Sequence, residues 1–250
     1  MKLDRVIVAT NDNQDYYQFW PIIARRWISW GVKPTLIVVS DNKIEIDENL
    51  GDVLYLAPVE GFATSHQSQI VRFFAAANFE EEVCLISDID MMCLNKEYFL
   101  HSIDGCDINE FVVYSADAYL PGNPAYPAYP MCYMAARGSK FKEIIQGNLN
   151  NFPEKLQEWM NHGFGWFTDE KVFYLKLKQW EENNSVVLLR RGFNIGNHPI
   201  ILRRIDRDWN CEFEERLLAE KFYIDFHMPR PYSAHKKIID RIYEETEGKE

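Results

Sequence analysis

The first forty residues alternate between apolar runs and polar turns in a way that predicts a β-α-β unit. Residues 6–9 form a continuous apolar run typical of a buried strand, and residues 35–39 form a second run rich in β-branched side chains. Between them, residues 15–30 carry apolar side chains at helical spacing, and Gly31 ends the predicted helix. A strand, a helix and a second strand in this order predict parallel strands of a doubly wound α/β fold.

The rest of the chain continues this alternation of apolar strands and amphipathic helices. Further strands are predicted at residues 52–56, 83–87, 111–115, 131–136, 186–189 and 222–226, and further helices at residues 67–78, 139–149, 153–160, 168–180 and 233–245. Four prolines between residues 121 and 130 exclude regular structure there. Thr168 is the predicted N-cap of its helix. The pattern as a whole predicts an α/β fold with a mainly parallel central sheet flanked by helices.

Composition and charge narrow the class of protein. A chain of 250 residues that is 47% hydrophobic can bury a substantial core as one domain, or as one domain with a small lobe. A formal net charge of −11 disfavours nucleic acid as a partner, because phosphate backbones require clustered Lys and Arg. The five cysteines show no Cys-x-x-Cys spacing, which argues against a disulfide framework and a structural zinc site.

The hydropathy pattern also bears on location. No apolar run approaches the roughly 18 residues that a membrane span needs, so we expect no transmembrane segment. Residues 1–5 place an acid before an apolar stretch that is too short for a signal peptide. The sequence therefore predicts a cytoplasmic protein.

The candidate chemistry begins at Asp88-Ile89-Asp90, which follows the apolar run 83–86. Side chains alternate along a strand, so two carboxylates two residues apart are delivered to one side of the chain. Such a pair can hold a divalent cation. Sixteen aspartates in 250 residues give about one Asp-x-Asp by chance, so the context carries the inference.

The chain contains a second Asp-x-Asp, and its context differs. Asp206-Arg207-Asp208 has no apolar strand before it and lies beside two further arginines, Arg203 and Arg204. We interpret it as a solvated charged loop. The first motif is the candidate site because ligands of open α/β sheets gather outside the carboxyl ends of the strands. The turns after residues 9 and 39 fall at such ends as well.

The order of these parts resembles the nucleotide-sugar-dependent glycosyltransferases of the GT-A fold. The β-α-β opening is followed by the mid-chain Asp-x-Asp strand, an aromatic loop, segment 166–170 and the late segment 226–231. The resemblance covers residues 4–237. It implies a Rossmann-like GT-A domain and a metal-dependent transfer of a sugar from a nucleoside diphosphate sugar to a glycan or another hydroxyl acceptor.

The resemblance also implies a division of the chain. Residues 1–237 would form a single domain, with a nucleotide-binding half at about 1–95 and an acceptor-binding half at about 96–237. Residues 238–250 would be the end of a C-terminal helix and a tail.

A metal site is the first implication for individual residues. In this family the Asp-x-Asp carboxylates bind Mn²⁺ or Mg²⁺ together with the donor diphosphate, and many members add a late histidine. The corresponding residues here are Asp88, Asp90 and His227. Carboxylate oxygens suit either cation and one imidazole favours Mn²⁺, which would act as a Lewis acid on the leaving diphosphate. The alternative for His227 is a core histidine beside aromatic neighbours.

Donor contacts are the second implication. The donor-binding positions are Thr10, Asn11, Asp12, Gln69, Arg72, Asp88 and Arg230. The first three follow the first strand, where the family grips base and ribose, and an ordinary turn is the alternative. Gln69 and Arg72 share a helix face that leads into the Asp-x-Asp strand, and a solvated face is the alternative. The guanidinium fork of Arg230 is matched to phosphate oxygens.

Acceptor chemistry is the third implication. Asp169 and Glu170 resemble the acidic pair that often lies over the acceptor, and Asp169 would be the general base of an inverting enzyme. In a retaining enzyme the pair would position sugar hydroxyls, and the plainer alternative is charge that complements a helix dipole. Rings in residues 126–133, with Trp166 and Phe167, would stack on a sugar acceptor or belong to the core.

Three competing functions share parts of this pattern. A sugar-phosphate nucleotidyltransferase usually has an early Gly-rich loop, and residues 8–14 contain no glycine. A metal-dependent phosphohydrolase usually carries its Asp-x-Asp on the first strand, followed by Thr or Gly, whereas Met91 and Met92 follow here. A non-catalytic sugar-binding module of the same fold is the third alternative, and the intact Asp-x-Asp argues against it.

Overall fold

The centre of the fold is a seven-stranded sheet with helices on both faces. A computed structural model describes residues 1–119, 128–195 and 198–247, with residues 193–195, 198 and 199 described by their backbone. The strands are β1 (Arg5–Asn11), β2 (Lys33–Val39), β3 (Asp52–Leu56), β4 (Val83–Ser87), β5 (Met91–Cys93), β6 (Phe111–Val113), β7 (Tyr133–Arg137), β8 (Val186–Leu188), β9 (Gly192–Ile195), β10 (His198–Ile201), β11 (Arg203–Ile205) and β12 (Tyr223–His227).

The helices occupy the connections between these strands. They are α1 (Gln14–Tyr17), α2 (Trp20–Ser29), α3 (Thr64–Ala76), α4 (Lys96–Phe99), α5 (Gly138–Ile145), α6 (Phe152–Met160), α7 (Thr168–Glu181), α8 (Glu215–Ala219) and α9 (Tyr232–Glu247). Short 3₁₀ turns lie at Glu48–Leu50, His101–Ile103, Leu149–Asn151, Gly165–Phe167 and Arg207–Trp209. Within the described residues, no helix combines the length and apolar character that crossing a membrane requires.

The main sheet has the order β3-β2-β1-β4-β7-β6-β8. Strand β7 is antiparallel to both of its neighbours, and the other neighbouring pairs are parallel. From β1 the chain continues to β2 and β3 on one side and then returns to add β4 on the other side of β1. This change of direction makes the carboxyl ends of β1 and β4 the switch point, where ligands of such sheets bind. The predicted α/β class, with a mainly parallel sheet flanked by helices, is confirmed.

The core divides into two layers because the central strands are buried on both faces. Val6 and Val8 of β1 pack with Trp27 of α2 on one face, and Ile7 packs with Phe73 of α3 on the other. Strands buried on both faces carry continuous apolar runs, which is why the sequence pattern located them. The second layer also contains α5, α6 and α7.

A smaller three-stranded sheet, in the order β11-β12-β5, joins the C-terminal half to the motif strand. Strand β12 pairs antiparallel with β5, so that Phe226 lies opposite Met92 and His227 opposite Met91. Strands β9 and β10 form a separate antiparallel pair. The sequence analysis predicted β12 but neither β5 nor β11, each of which has only three residues.

Two local predictions are wrong. The helix predicted at 15–30 is broken into α1 and α2. Pro21 lies in the first turn of α2, where an N–H has no partner within the helix, whereas in the middle of a longer helix a proline would remove a hydrogen bond. Thr168 does not cap α7: the N-cap position is Phe167, and the Thr168 hydroxyl donates to the Gly165 carbonyl at 2.7 Å.

Candidate active site

A cavity of about 340 Å³ opens at the carboxyl ends of β1 and β4. It lies at the switch point of the sheet, and the antiparallel β7 contributes the segment before its first residue to the same edge. Nine of the predicted site residues line it: Thr10, Asn11, Gln69, Arg72, Asp88, Asp90, Asp169, Glu170 and His227. Residues from both halves of the sequence therefore meet at one place.

Strand pairing explains why Asp90 and His227 meet. Asp90 immediately precedes β5 and His227 ends β12, and these two strands form an antiparallel ladder. The Met228 amide donates to the Asp90 carbonyl at 2.9 Å, which extends the ladder by one bond. The approach of the two side chains is thus set by the backbone.

The carboxylate of Asp90 is nearly buried and has a guanidinium and an imidazole as its neighbours. Arg207 Nη1 donates to Asp90 Oδ2 at 2.7 Å, and His227 Nε2 lies 3.5 Å from the same oxygen. Burial opposes ionisation of Asp90, but His227 and Arg207 outweigh it and lower the pKa of this carboxyl below its ordinary value. Asp90 is therefore ionised throughout the neutral range.

The other face of the His227 ring meets a second carboxylate. Nδ1 lies 3.4 Å from Asp206 Oδ1. Nε2 of the same ring faces Asp90, so the imidazole lies between two carboxylates. Histidines that bind metals are commonly oriented in this way by a carboxylate behind the ring.

Asp88 lies in a different electrostatic setting, although it is only two residues away. Its partly exposed carboxylate accepts a hydrogen bond from Arg72 Nη1, and Arg72 Nη2 lies 3.6 Å from Asp169 Oδ2. The Arg72 side chain is buried and its Nε donates to the Gln69 carbonyl at 3.1 Å. One guanidinium thus joins the end of β4 to the start of α7.

Asp169 is the buried member of the acidic pair. Its removal from water raises the pKa of its carboxyl from an ordinary 3.8 to about 7, although the charge of Arg72 opposes the shift. Glu170, one residue later, accepts a hydrogen bond from the Tyr119 hydroxyl at 2.7 Å. A carboxyl with a pKa near 7 can take up and release a proton at neutral pH.

The fit of a divalent cation can be judged from these side chains. Two carboxylates and an imidazole are a ligand set that Mn²⁺ accepts, and Asp206 supports His227 from behind. Within the described part of the chain no three His, Cys, Asp or Glu side chains converge into a ready site. Arg72 and Arg207 donate hydrogen bonds to Asp88 and Asp90 here, so the chemistry of the ligand set suits the cation, and a bound cation would have to displace these arginines from the two carboxylates.

Two arginines in the C-terminal half belong to the cavity, although the sequence pattern did not predict them there. Arg204 and Arg207 line the cavity, so the interpretation of Asp206-Arg207-Asp208 as a wholly solvated loop is wrong. Only Asp208, with 81% of its side chain exposed, fits that description. The physical reason is that β11 pairs with β12 and carries the segment to the cavity edge. The sequence did contain one signal for this placement, since Arg204 and Arg207 are three residues apart.

Arg204 is held by a buried partner. Its Nε and Nη2 donate to the two oxygens of Asp225, which is fully buried, at 2.9 and 2.8 Å. Nη2 also donates to Cys132 Sγ at 3.6 Å. Burial raises the pKa of the Cys132 thiol to about 11, so this cavity cysteine is protonated at neutral pH and is a poor nucleophile.

Two predicted donor-binding residues lie outside the lining. Asp12 is exposed after β1, and its Oδ2 accepts from Asn42 Nδ2 at 3.4 Å. The Arg230 guanidinium stacks on the Tyr16 ring, 4.5 Å from its centroid, and Tyr16 itself lines the cavity. Arg230 therefore reaches the cavity through an intervening ring.

The predicted aromatic residues divide between the cavity and the core. Trp166 and Phe167 line the cavity with 52% and 45% of their surfaces exposed. Tyr133 is fully buried in the core, and Tyr129 packs against Tyr174 with ring centroids 5.1 Å apart. Residues 126 and 127 of the predicted aromatic segment lie outside the described residues.

Comparisons with solved structures find glycosyltransferases. The chain is similar to galactosyltransferase LgtC in complex with donor and acceptor sugar analogues, with 11% identity, 97% of this chain and 95% of that chain covered, and a TM-score of 0.46. It is also similar to apo-form GlyE of Streptococcus pneumoniae TIGR4, with 13% identity and a TM-score of 0.43; 75% of this chain is covered, and the match spans 45% of GlyE.

A third similar structure is the catalytic domain of Drosophila β1,4-galactosyltransferase 7 in complex with xylobiose. The identity is 13%, the match covers 75% of this chain and 65% of that chain, and the TM-score is 0.39. No protein-family model and no curated protein matches the chain. Because all three TM-scores are below 0.5, the functional argument rests on the site itself.

Proposed function

We propose that this protein is a metal-dependent glycosyltransferase that moves a sugar from a nucleoside diphosphate sugar to a hydroxyl acceptor in glycan or polysaccharide synthesis. The observation that carries the proposal is the meeting of Asp88, Asp90 and His227 with a buried Asp169 in one cavity at the switch point. A cytoplasmic location and the absence of a nucleic-acid partner stay predictions.

The charges around the cavity support an anionic ligand. Arg72, Arg204 and Arg207 all line it, although the whole chain has a formal charge of −11. Helix α3 begins beside the end of β1, where Asn11 Nδ2 donates to Thr64 Oγ1 at 3.0 Å, so its positive N-terminal end faces the same edge. Asp88, Asp90, Asp169 and Glu170 line the same cavity, so a diphosphate would be held by these cationic groups together with a bound divalent cation.

Nucleotide recognition is assigned to the polar residues around the end of β1. Thr10 and Asn11 line the cavity, Asp12 follows them at the exposed rim, and Gln69 faces them from α3. Arg230 would act by orienting Tyr16, and its guanidinium would reach phosphate oxygens if the ring moved aside. The assignments of Thr10, Asn11 and Gln69 rest on their positions in the cavity lining, and those of Asp12 and Arg230 rest on their positions beside it.

The proposed metal ligands are Asp88, Asp90 and His227. When bound, Mn²⁺ or Mg²⁺ would act as a Lewis acid that stabilises the departing diphosphate. Asp206 would keep the His227 ring in its orientation, and Arg72 would keep positive charge beside Asp88. Because Asp90 is ionised at neutral pH, it needs no proton loss before it takes part.

Asp169 is the proposed general base. Its pKa of about 7 allows the carboxylate to accept the proton of an acceptor hydroxyl, and the neighbouring Arg72 stabilises the ionised form. Glu170, held by Tyr119, would position acceptor hydroxyls. Trp166 and Phe167 at the cavity wall offer ring faces to the acceptor sugar.

The proposal is tested by turnover of a nucleotide sugar. Purified protein with Mn²⁺ should release the nucleoside diphosphate, and Asp90→Ala should reduce this release at least about a hundredfold, because a lost metal ligand removes the stabilisation of the leaving group. The measurement is a coupled assay of nucleoside diphosphate across a panel of donor sugars.

The matched control is Asp104→Ala, since Asp104 is a surface aspartate with a side chain 63% exposed. It should keep the activity of the unmodified protein. Undiminished turnover in the Asp90 variant would reject the metal assignment. Release of inorganic phosphate from phosphomonoesters would favour the phosphohydrolase, and metal-dependent donor binding without turnover on any acceptor would favour the binding module.

A further inference from the structure

Arg207 is one of the three cavity arginines, but the proposed function gives no role to its contact with Asp90, a proposed metal ligand. Its Nη1 donates to Asp90 Oδ2 at 2.7 Å, and the same oxygen faces His227 Nε2 at 3.5 Å. The Arg207 guanidinium therefore competes for the carboxylate oxygen that a cation shared with His227 would take. Its side chain is 24% exposed and lines the cavity.

The local backbone holds Arg207 in this place. Asp206 caps the 3₁₀ turn Arg207–Trp209, with its side chain accepting from the Asp208 amide at 3.2 Å. The same Asp206 side chain lies 3.4 Å from His227 Nδ1. Two consecutive residues thus contact two of the three proposed metal ligands, Asp206 behind His227 and Arg207 on the carboxylate of Asp90.

The electrostatics favour an exchange of partners. A carboxylate with only 7% of its surface exposed is strongly disfavoured without a positive neighbour, and Arg207 supplies one. A divalent cation at Asp90 replaces that charge. The displaced guanidinium remains in the cavity, where its planar fork matches the oxygens of a phosphate.

We infer that Arg207 is a resident counter-ion of Asp90, which a divalent cation displaces and which then binds the diphosphate of the donor. This inference rests on the proposed function. In the absence of diphosphate, Arg207 weakens the binding of the cation. Once the cation is bound, Arg207 strengthens the binding of the diphosphate. Arg207 thereby makes the binding of cation and diphosphate cooperative.

Titration with Mn²⁺, followed by electron paramagnetic resonance of the free ion, tests the first half. Arg207→Gln should bind Mn²⁺ about tenfold more tightly than the unmodified protein, since a charge-assisted hydrogen bond to Asp90 no longer has to be broken. Arg203→Gln is the matched control: it removes the same charge four positions earlier, where Arg203 pairs with Glu214 on the surface.

The second half uses inorganic pyrophosphate as the probe, measured by calorimetry at saturating Mn²⁺. Arg207→Gln should bind it about tenfold more weakly than the Arg203→Gln protein, because the fork that receives the phosphate is absent. Arg207→Lys, which keeps the charge but not the fork, should show smaller shifts in the same directions for both ligands. That variant decides the question if the glutamine variant does not fold.

High salt distinguishes direct competition between Arg207 and the cation for Asp90 from a long-range effect of the arginine's charge. At 1 M salt the screening length is about 3 Å, so a long-range effect vanishes whereas competition for one oxygen persists. Equal Mn²⁺ affinities of the Arg207→Gln and Arg203→Gln proteins, or a difference lost at 1 M salt, would overturn the inference. Unchanged pyrophosphate affinity would overturn it as well.

The role of Arg207 can fail while the proposed function stands, and the two failures give different results. If the unmodified protein binds Mn²⁺, Asp90→Ala abolishes the binding and Arg207→Gln has no effect, only the role of Arg207 is rejected. If no variant binds Mn²⁺, the metal assignment and the role of Arg207 are rejected together.

Discussion

At the scale of single residues, arginines organise the charges of the cavity. Arg72 joins Asp88 to Asp169, Arg207 holds Asp90, and Arg204 is clamped on a buried Asp225. Each arginine neutralises a carboxylate that would otherwise be costly to bury. The cavity can in this way hold acidic and basic side chains next to one another.

The raised pKa of Asp169 has a consequence for stability. A carboxyl that binds its proton more tightly in the folded than in the unfolded protein contributes stability that is fully present below pH 3.8 and is lost as pH rises towards 7. Between pH 5 and pH 8 the unfolding free energy of the unmodified protein should therefore fall by about 3 kcal/mol more than that of Asp169→Asn, which has no carboxyl to ionise at this position. Urea unfolding at both pH values measures the difference.

Asp41→Asn serves as the control for this prediction, because Asp41 is exposed in the turn after β2. Urea unfolding of this variant at the same two pH values measures the effect of removing a surface carboxyl. A pH-independent difference between Asp169→Asn and the unmodified protein would show that the pKa of the Asp169 carboxyl is not raised.

At the scale of elements, close backbone contacts set where the helices lie. Helix α5 starts at Gly138, whose amide donates to the Glu82 carbonyl at 2.9 Å just before β4. A Cβ at this glycine would lie 2.2 Å from the Phe79 carbonyl oxygen and 2.5 Å from that of Ala76. The end of α3 and the start of α5 approach this closely only because the side chain is missing.

Gly138→Ala should therefore lower the unfolding free energy by about 1–3 kcal/mol, since backbone atoms must move to admit the methyl group. Gly105→Ala is the control, because a Cβ there would meet nothing within 4 Å. Its expected change is within about 0.5 kcal/mol. Chemical denaturation of both variants measures the difference, and equal values would contradict the close approach.

The sequence predicted those parts of the fold and site that depend on local pattern. The apolar run of β4 placed Asp88 and Asp90 at a strand end, and the helical spacing of α3 placed Gln69 and Arg72 on the face that reaches the cavity. The placement of Arg207 was missed because it depends on the pairing of β11 with β12, distant in sequence from β4. Strands of three residues show no periodicity from which pairing can be predicted.

At the scale of the whole molecule, the C-terminal helix is packed into the body of the protein. Helix α9 continues without a break across the predicted boundary at residue 237, and Ile239 and Ile242 are fully buried. The buried Arg26 of α2 donates to the Tyr243 carbonyl at 3.1 Å and to Thr246 Oγ1 at 2.6 Å. The two ends of the sequence thus share one interface.

Truncation after residue 237 should lower the unfolding free energy by at least about 4 kcal/mol, because two buried isoleucines are lost and Arg26 is left without its carbonyl partners. Glu244→Ala, at an exposed position of the same helix, is the control and should change the unfolding free energy by no more than about 0.5 kcal/mol. Thermal and urea unfolding compare both variants with the unmodified protein. Unchanged stability of the truncated protein would support a domain that ends at residue 237.

The two carboxylates of the motif belong to different sheets, although one residue separates them. Asp88 follows the last residue of β4 in the large sheet, whereas Asp90 is tied by backbone bonds to β12 in the small one. Ile89 connects the two sheets and is buried in the core that both of them share. The spacing of the two acids therefore depends on how the small sheet packs against the large one, so a substitution that shifts this packing would move Asp90 relative to Asp88 and, under the proposed function, change the affinity for the cation.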